Sequence, residues 1–287
     1  LKKRFDAIIL SMRNKKLIIF FSILCAVTLL VVFNSVLFSV RHVRVYCANV
    51  ESSAFADKVL ASHHIKRSES IFFVNKQKVA ARVESSVPGV RVLNIEKKFP
   101  NRIYINYVEV KPYLRIFDGH NTYFCGNDLR VMYAEEGAKN LWSGAESDPY
   151  WSGIPAEKRH VINLLYKGDL KSTAVGSIVS FSDSTTAAIV TGVFSALERL
   201  GYYESVMELF TEIDVSGKDK PFIMLTTFSG MKWEIVSADN LAEKLRLGLS
   251  VFLSDKLSDA QKQTGTLVIG GNTASYRGSD GSLKPLD

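Results

Sequence analysis

The sequence predicts an α+β protein in three consecutive parts: one membrane-spanning helix, a small β-α-α-β-β domain, and a larger, mainly β domain containing two helices. Three observations carry this prediction. Leu17 to Val40 is an uncharged run of 24 residues directly behind a basic cluster. Residues 41–112 hold three strand signals and two helix signals in a short span, and from Tyr113 onward short β-rich runs alternate with two amphipathic helical patterns.

As a helix, the uncharged run extends roughly 36 Å at 1.5 Å per residue, against the ~30 Å hydrocarbon core of a bilayer. Lys2, Lys3, Arg4, Arg13, Lys15 and Lys16 precede it, opposed only by Asp6. Residues 1–16 are therefore read as a cytoplasmic tail, residues 17–40 as the transmembrane helix, and everything after Arg41 as external to the cytoplasm. A cleavable signal peptide has a shorter apolar region and a small-residue cleavage site; neither is seen near Val40, so an uncleaved anchor is expected. Asn34 and Ser35 are mild polar interruptions of the run. Most of the net charge of +7 sits in the tail, which argues against a nucleic-acid surface elsewhere. Nearly half the residues are apolar, enough for a substantial folded core.

Cys25 falls in the proposed helix and reads as a small apolar filler. Cys47 and Cys125 fall outside it, where disulfides are permitted; the sequence leaves open whether they pair. No CxxC pattern points to redox chemistry or zinc.

The small domain begins with Val43 and Val45 alternating with Arg44 and Tyr46, a short strand. A helix follows, with Ser52 or Ser53 as cap and Phe55, Val59 and Leu60 on one face. Asn75 caps a second helix that turns Val79, Ala80 and Val83 inward and stops before Pro88-Gly89. Two strands, Val90 to Phe99 and Arg102 to Val110, meet at a Pro100-Asn101 turn; the second is rich in β-branched and aromatic residues and ends before Pro112.

In the larger domain, strands are expected at Tyr113 to Phe117, Asn121 to Phe124 and Leu209 to Val215, with a hairpin across Ser229-Gly230. The helices are Thr185 to Leu200, and Asn240 to Leu253 with Ala242, Leu245, Leu249 and Phe252 on one face. Two short strands around Gly270, Gly271 and Asn272 end the ordered part, and residues 279–287 read as a flexible tail. Ala134 to Asp148 reads as an irregular insertion.

Taken in order, "VRVYC", Ile71-Phe72, Pro88-Gly89-Val90, Lys97-Lys98-Phe99-Pro100-Asn101, Glu109-Val110-Lys111-Pro112 and "GHNTYFCGNDLRV" resemble the polypeptide-transport-associated (POTRA) domain of the FtsQ/DivIB cell-division family. The resemblance covers residues 17 to about 133. It departs from the family pattern at Cys47, where Gly is usual, and at Cys125, where a small hydrophobic residue is usual. It implies a POTRA domain at 41–112 followed by a β domain at 113–278. It further implies a non-enzymatic, single-pass protein of the bacterial inner membrane at the division septum, its carboxyl-terminal domains in the periplasm, that recruits and regulates septal cell-wall synthesis. The family binds FtsB/FtsL-type single-pass proteins through its last strands. By position these are Thr266, Leu267, Val268 and Ile269 with Ala274, Ser275, Tyr276 and Arg277, Tyr276 being the candidate aromatic anchor; the alternative is an ordinary buried hairpin with Tyr276 in the core. Other divisome membrane proteins are expected at the POTRA domain.

No motif supports catalysis. Ser229 to Lys232 spells Ser-x-x-Lys, but that motif needs a helix start and partner motifs, and here it occupies a hairpin turn. His63 and His64 are adjacent, and His42, His120 and His160 lack ligand spacing, so all five read as solvated surface residues with no metal or cofactor to hold. Glu109 reads as a strand-end ion pair. Gly270-Gly271 lacks the helix and Lys of a phosphate loop. What remains is binding by strand addition, in which main-chain hydrogen bonds give affinity and alternate side chains give choice. Two other readings stand behind this one: a POTRA protein of outer-membrane assembly or secretion, and a membrane-anchored cell-wall enzyme using Ser229 and Lys232.

Overall fold

The computed structural model describes residues 19–29, 31–32, 37–49, 55–147, 151, 154–203, 205–217 and 223–286. The basic tail, Asn34, Ser35 and the two serines proposed as caps lie outside them. Residues 19–29 are helical, with their side chains exposed. Among the described residues no helix is long and apolar enough to cross a membrane. The chain divides into two compact units, one ending at Glu109 and the other starting at Val110.

The first unit contains β1 (His42–Cys47), α1 (Ala56–Ser62), α2 (Lys76–Ser86), β2 (Val90–Lys98) and β3 (Arg102–Glu109). The strands form a sheet in the order β1-β3-β2, with β1 parallel to β3 and β2 antiparallel to it. Alternation along β3 sends Ile103, Ile105 and Tyr107 inward, where they meet Val59, Val79 and Val83 from the helices. Each fully buried Ile contributes ~1.5–3 kcal/mol relative to exposure. The Asn75 side chain accepts from the Lys78 amide and starts α2 as expected. In α1 Val59 is buried, but Leu60 is 42% exposed and not on the inner face. Gly89 lies against Phe55: a Cβ there would lie 2.9 Å from Cζ of that ring, so the ring would have to shift to admit one.

The second unit is built on one ten-stranded sheet, ordered β15-β14-β13-β12-β11-β10-β7-β4-β5-β6. Its strands are β4 (Leu114–Phe117), β5 (Asn121–Cys125), β6 (Val131–Glu136), β7 (Ile162–Leu165), β10 (Phe210–Asp214), β11 (Ile223–Thr227), β12 (Lys232–Ile235), β13 (Thr266–Gly270), β14 (Thr273–Arg277) and β15 (Leu283–Pro285). β8 (Leu170–Ser172) and β9 (Ser180–Phe181) form a separate ribbon, and the helices are α3 (Thr185–Arg199), α4 (Val206–Leu209), α5 (Leu241–Leu253) and α6 (Asp259–Gln263).

Three strand pairs in this sheet are parallel: β4 with β7, β7 with β10, and β12 with β13. Parallel neighbours need a long crossover. α3 lies in the connection from β7 to β10, and α5 in that from β12 to β13. The two helices pack on each other, and α5 packs on β13 and β14. Val190, Phe194 and Leu197 of α3 and Leu245 and Leu249 of α5 share one core with Trp233, Leu267 and Ile269.

Two expectations need correction here. Residues 131–136 are strand β6, so the stretch read as irregular from Ala134 begins inside the sheet. Residues 283–285 are strand β15 and not part of a frayed tail: Leu283 pairs with Arg277, Lys284 with Tyr276 and Pro285 with Ser275. A proline fits there because an edge strand leaves one side without ladder bonds to donate.

Candidate partner-binding edge

The residues proposed to bind a partner lie together on β13 and β14, which are antiparallel neighbours with Leu267 opposite Tyr276 and Ile269 opposite Ala274. The pleat divides them between two faces. Leu267, Ile269 and Ala274 point into the core and are essentially inaccessible. Thr266, Val268, Ser275 and Arg277 occupy the opposite face and are half-buried. Neither strand is the sheet edge, because β15 covers the outer side of β14 and the Leu286 amide donates to the Ala274 carbonyl.

Tyr276 belongs to the core-facing set. Its ring packs against the core, and its hydroxyl donates to the Thr264 carbonyl at 3.4 Å. Of the two readings of Tyr276, anchor or core member of the hairpin, this placement makes the side chain a partly buried element of the hairpin. On the other face, Arg277 Nη1 donates to Glu234 Oε2 of β12 at 2.9 Å. That face continues as a row in register, Arg277, Thr266, Lys232 and Thr226, to Glu212 on β10, Asn163 on β7 and Arg115 on β4. The Asn163 amide donates to Glu212 Oε2 at 3.3 Å. Burial holds the Arg115 guanidinium below its ordinary pKa, opposed by the charge of Glu212.

The edge itself offers the unpaired side of β15, where Leu283 is 57% exposed. The opposite end of the sheet is more protected. Val131 of β6 exchanges backbone bonds with Gly176 and Ser177, and Tyr133 stacks on Trp142 at 5.3 Å. The geometry of an open carboxyl-terminal edge can hydrogen-bond an incoming extended segment.

The sites weighed for chemistry are accounted for locally. Ser229 Oγ donates to the Lys262 carbonyl at 2.7 Å within the β11–β12 turn, where Gly230 adopts φ +103°, so Ser-x-x-Lys is a turn and not a helix start. Among the described residues no group of His, Cys, Asp or Glu could hold a metal ion. All three cysteines are free thiols, and burial pushes the Cys125 thiol upward. Glu109 forms no ion pair among the described residues; Asn49 bonds its backbone at both N–H and C=O instead.

His160 is also corrected. It is half-buried, its ring lies 5.4 Å from that of Phe228, and Nε2 is buried without a partner among the described residues. It lines a cavity of about 340 Å³ with Trp151, Ile154, Met207 and Phe228. Sequence reasoning missed this because a lone His after Lys-Arg looks solvated, and the aromatic partner is 68 residues away.

Residues 38–109 match the family model described as POTRA domain, FtsQ-type. This segment is an FtsQ-type POTRA domain. The match supports, at the level of the family, a scaffold role in cell division that rests on protein–protein interaction. It covers a quarter of the chain and ends at Glu109, where the two units divide. No curated protein matches the chain.

Within the POTRA domain, the motif residues have separable roles. Ile71 is fully buried in the core, whereas Phe72 beside it is half exposed. Phe99-Pro100-Asn101 forms the tip of the β2–β3 hairpin, and the Asn101 carbonyl accepts from the Arg41 amide at 3.0 Å as the chain enters β1. Glu96 and Lys98 are paired at 2.9 Å, which lowers the pKa of the carboxyl and raises that of the amine.

Proposed function

We propose that the protein is a bitopic, non-enzymatic scaffold of the bacterial divisome. The uncharged run anchors it in the inner membrane as far as Leu37, since Phe38, Ser39 and Val40 belong to the POTRA fold, with residues 1–16 in the cytoplasm, and the POTRA and β domains stand in the periplasm at the septum. It recruits and regulates septal cell-wall synthesis by binding FtsB/FtsL-type single-pass partners, and its POTRA domain engages other divisome membrane proteins. The observation that carries this reading is the FtsQ-type POTRA match at residues 38–109. The exposed apolar side chains of residues 19–29 are consistent with a lipid-facing helix.

Partner binding is by strand addition to the carboxyl-terminal edge. Thr266–Ile269 and Ala274–Arg277 form the platform, and the partner's strand joins at β15, with Val268, Ser275 and Arg277 on the open face beside it. Leu267, Ile269, Ala274 and Tyr276 hold that platform from beneath.

The test is copurification of the full chain from detergent-solubilised membranes of a dividing bacterium. The expected result is a membrane-bound protein that brings down small single-pass coiled-coil division proteins. A protein found free in the soluble fraction without such partners would contradict the proposal.

A further inference from the structure

The POTRA unit carries an aromatic cluster in which Phe38 packs against the core while Phe72 and Phe99 stand exposed. Phe38, Phe72 and Phe99 come from three separate segments, yet their ring centroids lie 5.0, 5.2 and 6.4 Å apart. Phe72 is 50% exposed, Phe99 58% and the neighbouring Phe73 75%. Such side chains in a contiguous patch mark an interaction surface and are not core.

Backbone bonds fix the cluster. Ser39 bridges Ser70, the Ile71 amide donates to the Phe38 carbonyl at 2.8 Å, and the Arg41 amide donates to the Asn101 carbonyl. The entering chain, the turn at residues 70–73 and the hairpin tip are thus tied at one end of the domain. Phe38 belongs to the uncharged run 17–40, whose first following charge is Arg41. Phe38, Ser39 and Val40 are already part of the folded domain, so as a helix the run before them, residues 17–37, extends roughly 32 Å, close to the ~30 Å hydrocarbon core, which sets Phe38 at the lipid–water boundary.

The flanking charge fits the same surroundings. Lys66, Arg67, Lys97, Lys98 and Arg102 lie in the two segments bearing Phe72, Phe73 and Phe99, against Glu69 and Glu96, and Glu96 is already paired with Lys98. Lys97 Nζ donates to the Phe72 carbonyl at 3.1 Å, which orders a cation beside the rings. Aromatic rings with adjacent basic residues suit the headgroup layer of an anionic bilayer.

We infer that Phe72, Phe73 and Phe99 dip into the outer leaflet of the membrane that holds the anchor, with Lys97 and its neighbours on anionic headgroups, and so hold the POTRA domain against the bilayer. The inference rests on the anchor reading above.

The full chain, with Cys25 and Cys47 replaced by Ala and the buried Cys125 retained, is reconstituted into vesicles of phosphatidylcholine and phosphatidylglycerol. A nitroxide is placed by Phe73→Cys, by Val27→Cys in the run, or by Ser86→Cys at the far end of α2, and its collisions with oxygen and with a water-soluble nickel chelate are compared. The expected result is oxygen-dominated collision at Val27 and Phe73 and nickel-dominated collision at Ser86. Oxygen at Val27 with Phe73 as nickel-accessible as Ser86 leaves the anchor standing and overturns the inference, assigning the patch to a protein partner. Nickel access at Val27 overturns both. Exchanging phosphatidylglycerol for phosphatidylcholine is expected to move Phe73 toward water; no movement would overturn the role given to the basic residues.

Discussion

Arg277 on β14 reaches across β13 to Glu234 on β12, with Nη1 2.9 Å from Oε2. The pair joins three strands on the face that the helices do not cover. The Arg277 side chain remains 41% exposed, so its contribution is that of a solvated ion pair, ~0.2–1 kcal/mol. Arg277→Ala is expected to change the urea unfolding free energy by less than about 1 kcal/mol while weakening partner capture. A large loss of stability would make it a structural residue only.

Gly248 of α5 sits directly over Trp233, where a Cβ would lie 2.6 Å from Cζ3 and 2.7 Å from Cδ1 of Ile269. Alanine is the better helix former by ~1 kcal/mol, yet Gly248→Ala is expected to destabilise the domain by ~1–3 kcal/mol through overpacking. The denaturant midpoint gives the sign directly; a stabilised variant would show that α5 is not seated this closely.

Asp183 caps α3 by accepting from the amides of Thr185 and Thr186 and from both hydroxyls. Burial raises its carboxyl pKa, but these hydrogen bonds outweigh it and leave the pKa below the ordinary 3.8. A depressed folded value means the stabilisation is present above the unfolded pKa and disappears as pH falls through the folded one. Asp183→Ala is expected to lose ~1 kcal/mol at neutral pH. Its thermal midpoint is expected to approach that of the parent in acid below pH 3.8. A gap that persists unchanged at low pH would show that the carboxylate is not the source.

Removing residues 279–287 uncovers the outer side of β14. The shortened chain is expected to lose partner capture and to self-associate through the bare strand, as read by pulldown and sedimentation. Full capture by the shortened chain would place the partner directly on β14 and not on β15.

What the sequence made legible was local. Strands β2 and β3, helices α3 and α5 and the Ser229-Gly230 hairpin follow from alternation, helical spacing and turn residues that act within one segment. β7 was not legible, because its four residues include Asn163, a residue common in turns. Its strand identity comes from β4 and β10 on either side and from the bond of Asn163 to Glu212. β15 was hidden by Pro285, which argues against a strand except at an edge. In the candidate site, the sequence located the hairpin but not its orientation. The register of Tyr276 to Leu267 is set locally by the Gly271-Asn272 turn, but which face that register buries depends on the packing of α5 and the pairing with β12, contacts outside the hairpin. Lys244, buried in α5, escaped for a similar reason: its amine bonds the Ser237 carbonyl and hydroxyl, and no helical pattern foretells that pairing.

The central claim is that partners join the sheet at its carboxyl-terminal edge. It is tested most directly by a photoreactive residue at Leu283 of β15 in the full chain in membranes, with a control at Ser195 on the exposed side of α3. Crosslinks from Leu283 alone to small single-pass division proteins are the predicted result. Equal crosslinking from both positions, or crosslinks from Ser195 only, would contradict it.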